Sequence, residues 1–183
     1  MRRYYPAFLD VAGKRVLIVG GGPVAARKAR TLSRYGARTT IVAPRMTQAA
    51  RRSAQVARQR PFSGRDLRAM TLVICATDDR RIDARVSALC RRRGIWANVA
   101  DRPALCDFIA PAVARRGKIT VAVSTGGASP ALAKSLRQRL ARAVTAEDVR
   151  AADRLARLRP ALLSMSLNRR RKFLTALLSE KPR

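Results

Sequence analysis

Apolar and polar positions along this chain follow two rhythms. Val16-Leu17-Ile18-Val19, entered from Lys14-Arg15, runs into Gly20-Gly21-Gly22 and reads as a buried strand meeting a tight turn. From Pro23 to Arg34 the apolar residues Val24, Ala25, Ala29 and Leu32 recur at helical spacing, and Gly36 supplies the stop. Thr39-Thr40-Ile41-Val42-Ala43 reads as a second strand closed by Pro44, with a weaker helix over residues 47–58. Residues 70–76 form another apolar run, closed by Thr77-Asp78-Asp79. The following helix puts Ile82, Val86, Leu89 and Cys90 on one face before Gly94, and residues 95–99 read as the next strand. Strands alternating with helices predict an α/β fold with a parallel sheet covered on both faces.

After Pro111 the rhythm changes. Lys118-Ile119-Thr120-Val121-Ala122-Val123 alternates like an added strand and leads into Ser124-Thr125-Gly126-Gly127-Ala128-Ser129-Pro130. Ser129 and Pro130 form an N-cap and first-position pair for a helix carrying Leu132, Leu136, Leu140 and Val144. Thr145 with Asp148 resembles a capping box with Asp in place of Glu. It opens a helix that Pro160 should interrupt, and a last helix is expected around residues 171–178. The division that follows is an α/β domain over residues 1–113, a linking segment over 114–145 and a basic helical tail over 146–183.

Composition narrows the chemistry. There is no His, which excludes imidazole zinc sites and Ser-His or Cys-His nucleophiles. Cys75, Cys90 and Cys106 are 15 and 16 residues apart, neither a disulfide framework nor a CxxC motif, and a reducing cytoplasm is the expected compartment. No apolar run reaches the roughly 18–20 residues that span a bilayer, and residues 1–6 lack a signal-peptide core, so a soluble chain with no membrane partner is expected. The net charge of +29, from 40 basic and 11 acidic residues, first suggests nucleic acid. Its distribution argues against that: +19 falls on residues 1–130 and +10 on residues 131–183. Only 4% of residues are aromatic, too few for a base-stacking platform. The charge therefore reads as a solvated surface, part of it facing an anionic ligand.

Gly20-Gly21-Gly22-Pro23-Val24-Ala25 fits GxGxxA directly after a strand and at a helix start, the context of a dinucleotide fingerprint. Pro23 has no N–H to offer a phosphate, and a plain βα turn is the alternative. The fingerprint's usual carboxylate for the ribose is missing, because no acidic residue lies between Asp10 and Asp66. Arg45 stands near its place, either against an adenosine phosphate or in solvent, which leaves NAD against NADP open. Thr77 and Asp78 lie at the carboxyl edge of a central strand, where ligands bind; Asp78 and Asp79 read equally well as helix N-caps. Asp101, in Asn98-Val99-Ala100-Asp101-Arg102-Pro103, occupies the same edge of the next strand. Its carboxylate is placed to accept a proton while hydride leaves to a cofactor, or to pair with Arg102, or to form a turn. The turn of Ser124, Thr125 and Gly126 before a helix is a candidate site for substrate carboxylates or a plain junction. The cysteines and Trp96 read as packing residues.

Together these segments resemble the precorrin-2 dehydrogenase family, the N-terminal region of siroheme synthases. The resemblance is carried by Tyr5-Pro6-Ala7-Phe8-Leu9-Asp10, by Val19-Gly20-Gly21-Gly22-Pro23-Val24-Ala25-Ala26-Arg27-Lys28-Ala29 and by Ala76-Thr77-Asp78-Asp79. It continues through Asn98-Val99-Ala100-Asp101, Leu105-Cys106-Asp107-Phe108-Ile109-Ala110-Pro111-Ala112 and Ser124-Thr125-Gly126-Gly127-Ala128-Ser129-Pro130-Ala131-Leu132-Ala133, covering residues 4–145. It implies a Rossmann-like parallel sheet over residues 1–113, a small dimerisation segment over 114–145 and a homodimer in which that segment packs between subunits. The implied activity is NAD-dependent oxidation of precorrin-2 to sirohydrochlorin, with Asp101 as catalytic base. The cofactor is expected against Gly20, Gly21, Gly22, Pro23, Val24, Pro44 and Arg45. Some members also insert Fe²⁺ as ferrochelatases, an alternative kept here with iron as substrate and with no resident metal. The substrate is a tetrapyrrole rich in carboxylates, which gives an Arg-rich cleft a purpose. Arg102, Lys118 and Arg137 are the candidates for holding it, beside Asn98, Ser124, Thr125 and Gly126. A nucleotide-sensing module that binds nucleic acid through its basic surface is the alternative of another class.

Overall fold

Strands β1 (Arg15–Val19), β2 (Arg38–Ala43), β3 (Val56–Gln59), β4 (Leu72–Cys75) and β5 (Trp96–Val99) run parallel in the order β3-β2-β1-β4-β5. They belong to the first of two units into which the computed structural model divides, the boundary falling between Ala110 and Pro111; the structure describes residues 4–179. Successive strand residues point to opposite faces, and here both faces are buried. Val16, Ile18, Ile41, Leu72 and Ile74 meet Ala25, Ala26 and Ala29 of helix α1 (Pro23–Arg34) and Ala50 of helix α2 (Gln48–Ser53). Leu17, Val19, Val42, Val73, Cys75, Ala97 and Val99 meet Val86 and Cys90 of helix α3 (Arg80–Arg92), together with Phe62 and Leu67. Each fully buried Val, Leu or Ile in these layers contributes about 1.5–3 kcal/mol. The three alanines of α1 let that helix lie close on the sheet.

The helix expected over residues 47–58 is shorter. Thr47 caps α2, its hydroxyl accepting from the Ala50 N–H at 3.1 Å, and the helix stops at Ser53. Residues after it pair with β2 as β3, an edge strand whose four residues are all exposed. No apolar alternation marks such a strand; the free hydrogen-bonding edge of β2 decides its conformation. Trp96 also departs from expectation. As the first residue of edge strand β5 it is 53% exposed rather than packed. The three cysteines are buried and form no disulfide, and burial pushes the Cys90 thiol up to about 11.

In the second unit, β6 (Ala112–Arg116) and β7 (Ile119–Val123) form an antiparallel hairpin. The strand expected at residues 118–123 therefore pairs with β6 in a separate two-stranded sheet and adds nothing to the parallel one. Helix α4 (Pro130–Ala143) packs on both strands, followed by α5 (Ala146–Leu163) and α6 (Leu167–Ser179). Ser129 caps α4 through the Leu132 N–H at 3.2 Å, and Thr145 and Asp148 close the expected capping box at the start of α5. Pro160 does not interrupt α5. It lies in the last turns, where its fixed φ suits a helix and one missing hydrogen bond is the main cost. Among the described residues, no helix is long and apolar enough to cross a membrane.

One buried carboxylate ties the loop after β3 to the sheet. Asp66, in the 3-10 turn Gly64–Leu67, accepts from Arg58 at 3.1 Å, from Arg60 at 2.8 Å and from the Ser63 N–H at 2.9 Å. Burial alone would raise its pKa, but the bonds from Arg60, the Ser63 backbone and Arg58 outweigh it and hold the carboxyl below its ordinary value. A depressed folded pKa contributes stability that is complete above the unfolded value of about 4 and lost as pH falls through the folded one. Asp66→Asn is expected to cost about 1–3 kcal/mol in urea unfolding at neutral pH, less than a fully buried pair because both guanidiniums are half in solvent. The gap between the two proteins should close as the solution is acidified; a gap that widens in acid would contradict this assignment.

Candidate cofactor and catalytic site

The strand order reverses direction between β1 and β4, and in open parallel sheets the crevice outside the carboxyl ends at such a point receives ligands. The turn after β1 is wedged there. Gly20 has φ +128°, and a Cβ at this position would stand 2.1 Å from the Ala76 carbonyl oxygen at the end of β4. A Cβ at Gly21 would stand 2.1 Å from the Arg45 carbonyl oxygen beyond β2. The Gly21 carbonyl in turn accepts from the Thr47 N–H at 2.9 Å. Gly22 is different: a Cβ there meets nothing within 4 Å. It is the N-cap of α1 without any side-chain cap, and the first turn of that helix carries no acidic residue. Pro23 removes only a donor that has no intrahelical partner at the first position. The result is an open cradle at a helix N-terminus, bordered by Val24 and by exposed Pro44 and Arg45, and it fits a dinucleotide pyrophosphate.

After β4, Asp79 is the N-cap of α3, accepting from the N–H groups of Arg81 at 2.8 Å and Ile82 at 3.2 Å; Asp78 is exposed beside it. The Thr77 hydroxyl is turned inward, donating to Asp83 Oδ1 at 2.6 Å and accepting from the Asp79 N–H. Cys75 Sγ lies 3.1 Å from the same oxygen, and burial followed by that contact pushes its thiol pKa up. The Thr77 hydroxyl proton is therefore committed to Asp83.

Asp101 sits at the apex of the turn after β5, with φ +58°. The Arg102 N–H donates to the Val99 carbonyl at 3.3 Å, closing a four-residue turn, and the Ala100 N–H donates to the Cys75 carbonyl at 2.8 Å. Asp is among the few non-glycine residues that visit this left-handed region. Arg102 pairs with buried Asp83, its Nε 3.0 Å from Oδ2, and not with Asp101 as one sequence reading allowed. Asp101 is exposed. Lys28 of α1 faces this region from a half-buried position: burial chiefly, then the Arg27 charge, draws its ammonium below the ordinary lysine value, against the opposing influence of Cys106 and Asp101. Asn98 is buried, its amide nitrogen donating to the Phe108 carbonyl at 3.0 Å, so it braces the segment lying along β5.

The remaining expected residues lie in the second unit. Lys118 pairs with Asp153 at 3.5 Å, and Arg137 is half-buried on α4. Ser124 Oγ accepts from the Gly126 N–H at 3.1 Å, and Thr125 Oγ1 accepts from the Ser129 N–H at 3.0 Å, a turn that delivers the chain to the cap of α4. Among the described residues no group of three or more Cys, Asp or Glu side chains is placed to hold a metal ion.

Residues 7–112 match the family described as "Putative NAD(P)-binding". The chain belongs to this NAD(P)-binding family. Residues 116–143 match the sirohaem biosynthesis protein central family. This NAD(P)-binding chain is 42% identical over 142 residues to the siroheme synthase of Nitrosococcus oceani and 45% identical over 141 residues to that of Methylococcus capsulatus. Each match takes in 75% of this chain and 30% of the relative, so the chain spans under a third of their length. Among solved structures, SirC, a precorrin-2 dehydrogenase, superposes with a TM-score of 0.72 at 26% identity, covering 97% of this chain and 90% of that one.

Two residues around this candidate site escaped the sequence. Lys28 lies inside the matched string, and a cation three positions after Ala25 on the sheet-facing side of α1 was a usable signal. Asp83 gave none, because nothing in one dimension distinguishes a buried first-turn carboxylate from a solvated one. The open space at Gly22 yields a direct test. Gly22→Ala is expected to leave the unfolding midpoint unchanged, since its φ of −89° suits alanine, while weakening NAD(P) binding at least tenfold by calorimetry. Equal affinity in the variant would move the cofactor away from this cradle.

Proposed function

We propose that this protein oxidises precorrin-2 to sirohydrochlorin, with NAD as the acceptor. The observation that carries the reading is Asp101, an exposed carboxylate held at φ +58° at the carboxyl edge of β5 in an NAD(P)-binding unit. The likeness to SirC through both units supports the substrate assignment.

Bound NAD⁺ supplies a two-electron hydride acceptor. Gly20, Gly21 and Gly22 would let the backbone approach its pyrophosphate, and Pro23, Val24, Pro44, Arg45, Asp78 and the Thr77 backbone would hold the rest of it. The substrate loses a hydride and a proton in the oxidation, and the Asp101 carboxylate takes the proton. In the first unit the guanidinium tip of Arg102 is the group for a carboxylate of the tetrapyrrole; in the second unit Arg137, Lys118 and the turn of Ser124, Thr125 and Gly126 offer carboxylate-binding groups of their own. The segment over residues 114–145 serves as the dimerisation element of a homodimer, and buried cysteines outside any disulfide suit a reducing cytoplasm.

An anaerobic assay with precorrin-2 and either NAD or NADP, followed by Fe²⁺, tests the reading through reduced cofactor, sirohydrochlorin and sirohaem. No reduced cofactor, together with duplex DNA binding that survives physiological salt, would replace the enzyme with a nucleic-acid module. Asp101 variants separate chemistry from turn formation. Asp101→Asn should lower turnover by about a hundredfold or more with NAD binding intact. Asp101→Gly should be at least as stable as the parent, because glycine accepts this φ, yet equally inactive. Turnover near the parent's in either variant removes Asp101 from the reaction.

A further inference from the structure

We propose that Asp83 is a positioning residue for Asp101: its buried carboxylate holds Arg102 with one oxygen and Thr77 with the other, fixing the two strand-end loops of the site relative to each other. The inference rests on the reading of Asp101 as the base.

Asp83 is an expensive residue for a helix that has no need of it. Its side chain is 1% exposed, and a carboxylate withdrawn from water costs several kcal/mol unless charges and donors surround it. The N-terminus of α3 is already capped by Asp79. The partners of Asp83 instead come from the sheet edge: Cys75 closes β4, Thr77 follows it, and Arg102 lies beyond β5. Oδ1 takes hydrogen bonds from the loop that borders the glycine turn, while Oδ2 has no hydrogen-bond partner and meets the loop that presents Asp101 through the ion pair with Arg102 Nε at 3.0 Å.

The turn around Asp101 needs such an anchor. Its closing bond, from the Arg102 N–H to the Val99 carbonyl, is long at 3.3 Å, and the residue at its apex has a left-handed φ. On one side Ala100 is fixed to the Cys75 carbonyl at 2.8 Å. On the other side the backbone is held through the Arg102 side chain on Asp83, with Cys106 Sγ 3.3 Å from the Arg102 carbonyl. Asp101 thus stands between two fixed neighbours. Release of the Arg102 side lets the turn relax toward negative φ and shifts the carboxylate, and a displacement near 1 Å at a reacting group can cost on the order of a hundredfold in rate.

The experiment compares kcat and KM in the anaerobic dehydrogenase assay, with circular dichroism as the fold check. Asp83→Asn keeps an acceptor for Thr77 and Cys75 but turns an amide donor toward Arg102. It should lower kcat by about ten- to a hundredfold, with KM for precorrin-2 and NAD within about threefold. At position 102, Met has the reach of the arginine stem and no charge. Arg102→Met should lower kcat at least tenfold, with a rise in KM for precorrin-2 from the lost guanidinium tip, and adding Asp83→Asn to it should lower kcat no further. Should Asp83→Asn fail to fold, kcat in Arg102→Met and in the double variant decides. Folded Asp83→Asn with parental kcat overturns the proposal. So does a rise in KM in Arg102→Met at unchanged kcat, which assigns Arg102 to substrate carboxylates alone. Parental turnover in Asp101→Asn would instead overturn the base assignment itself, whatever the Asp83 variants show.

Discussion

Three strand ends meet where there is room for backbone but not for a side chain. The turn leaving β1 passes between the Ala76 carbonyl on one side and the Arg45 carbonyl on the other, each 2.1 Å from where a Cβ would sit. This steric constraint follows from the strand order, because β1 is central and its exit must clear both neighbours. Glycine at positions 20 and 21 is therefore a condition for the sheet to close at its carboxyl edge. The same geometry leaves Gly22 open and aims the N-terminus of α1 into the crevice. Binding chemistry here is a by-product of how a parallel sheet passes its chain from strand to helix.

Carboxylates are scarce in this protein, 11 against 40 cations, and the buried ones act as fixed points. Asp66 gathers Arg58 and Arg60, and Asp83 gathers Arg102. In each case a guanidinium that remains partly in water is held at its inner end by an acid that is not. The +29 surface is thus better understood through the few anions that organise it than through its total.

The parallel sheet was legible because strands buried on both faces read as continuous apolar runs, as in Val16-Leu17-Ile18-Val19. Helix α1 and the caps at Ser129 and Thr145 were legible because their signals are local. Strand β3 was not, since its four exposed residues owe their conformation to β2. The pairing of β6 with β7 was missed for the same reason: a short strand ending in two arginines reads as surface until its partner is known. At the site, Asp101 stood out by its place after a strand, while its left-handed φ and the Asp83 partner of Arg102 depend on contacts between distant segments. Local chemistry can be read from sequence; who holds whom requires the fold.

Strand β3 also governs how the sheet ends. An unpaired strand edge is a template on which another chain's strand could add. This one is four residues long, carries Arg58, and is followed two residues later by Pro61, which has no N–H to donate. A foreign strand docking there would find few backbone partners and a fixed positive charge. The cation that steadies Asp66 from within thereby also guards the rim of the sheet against runaway self-assembly.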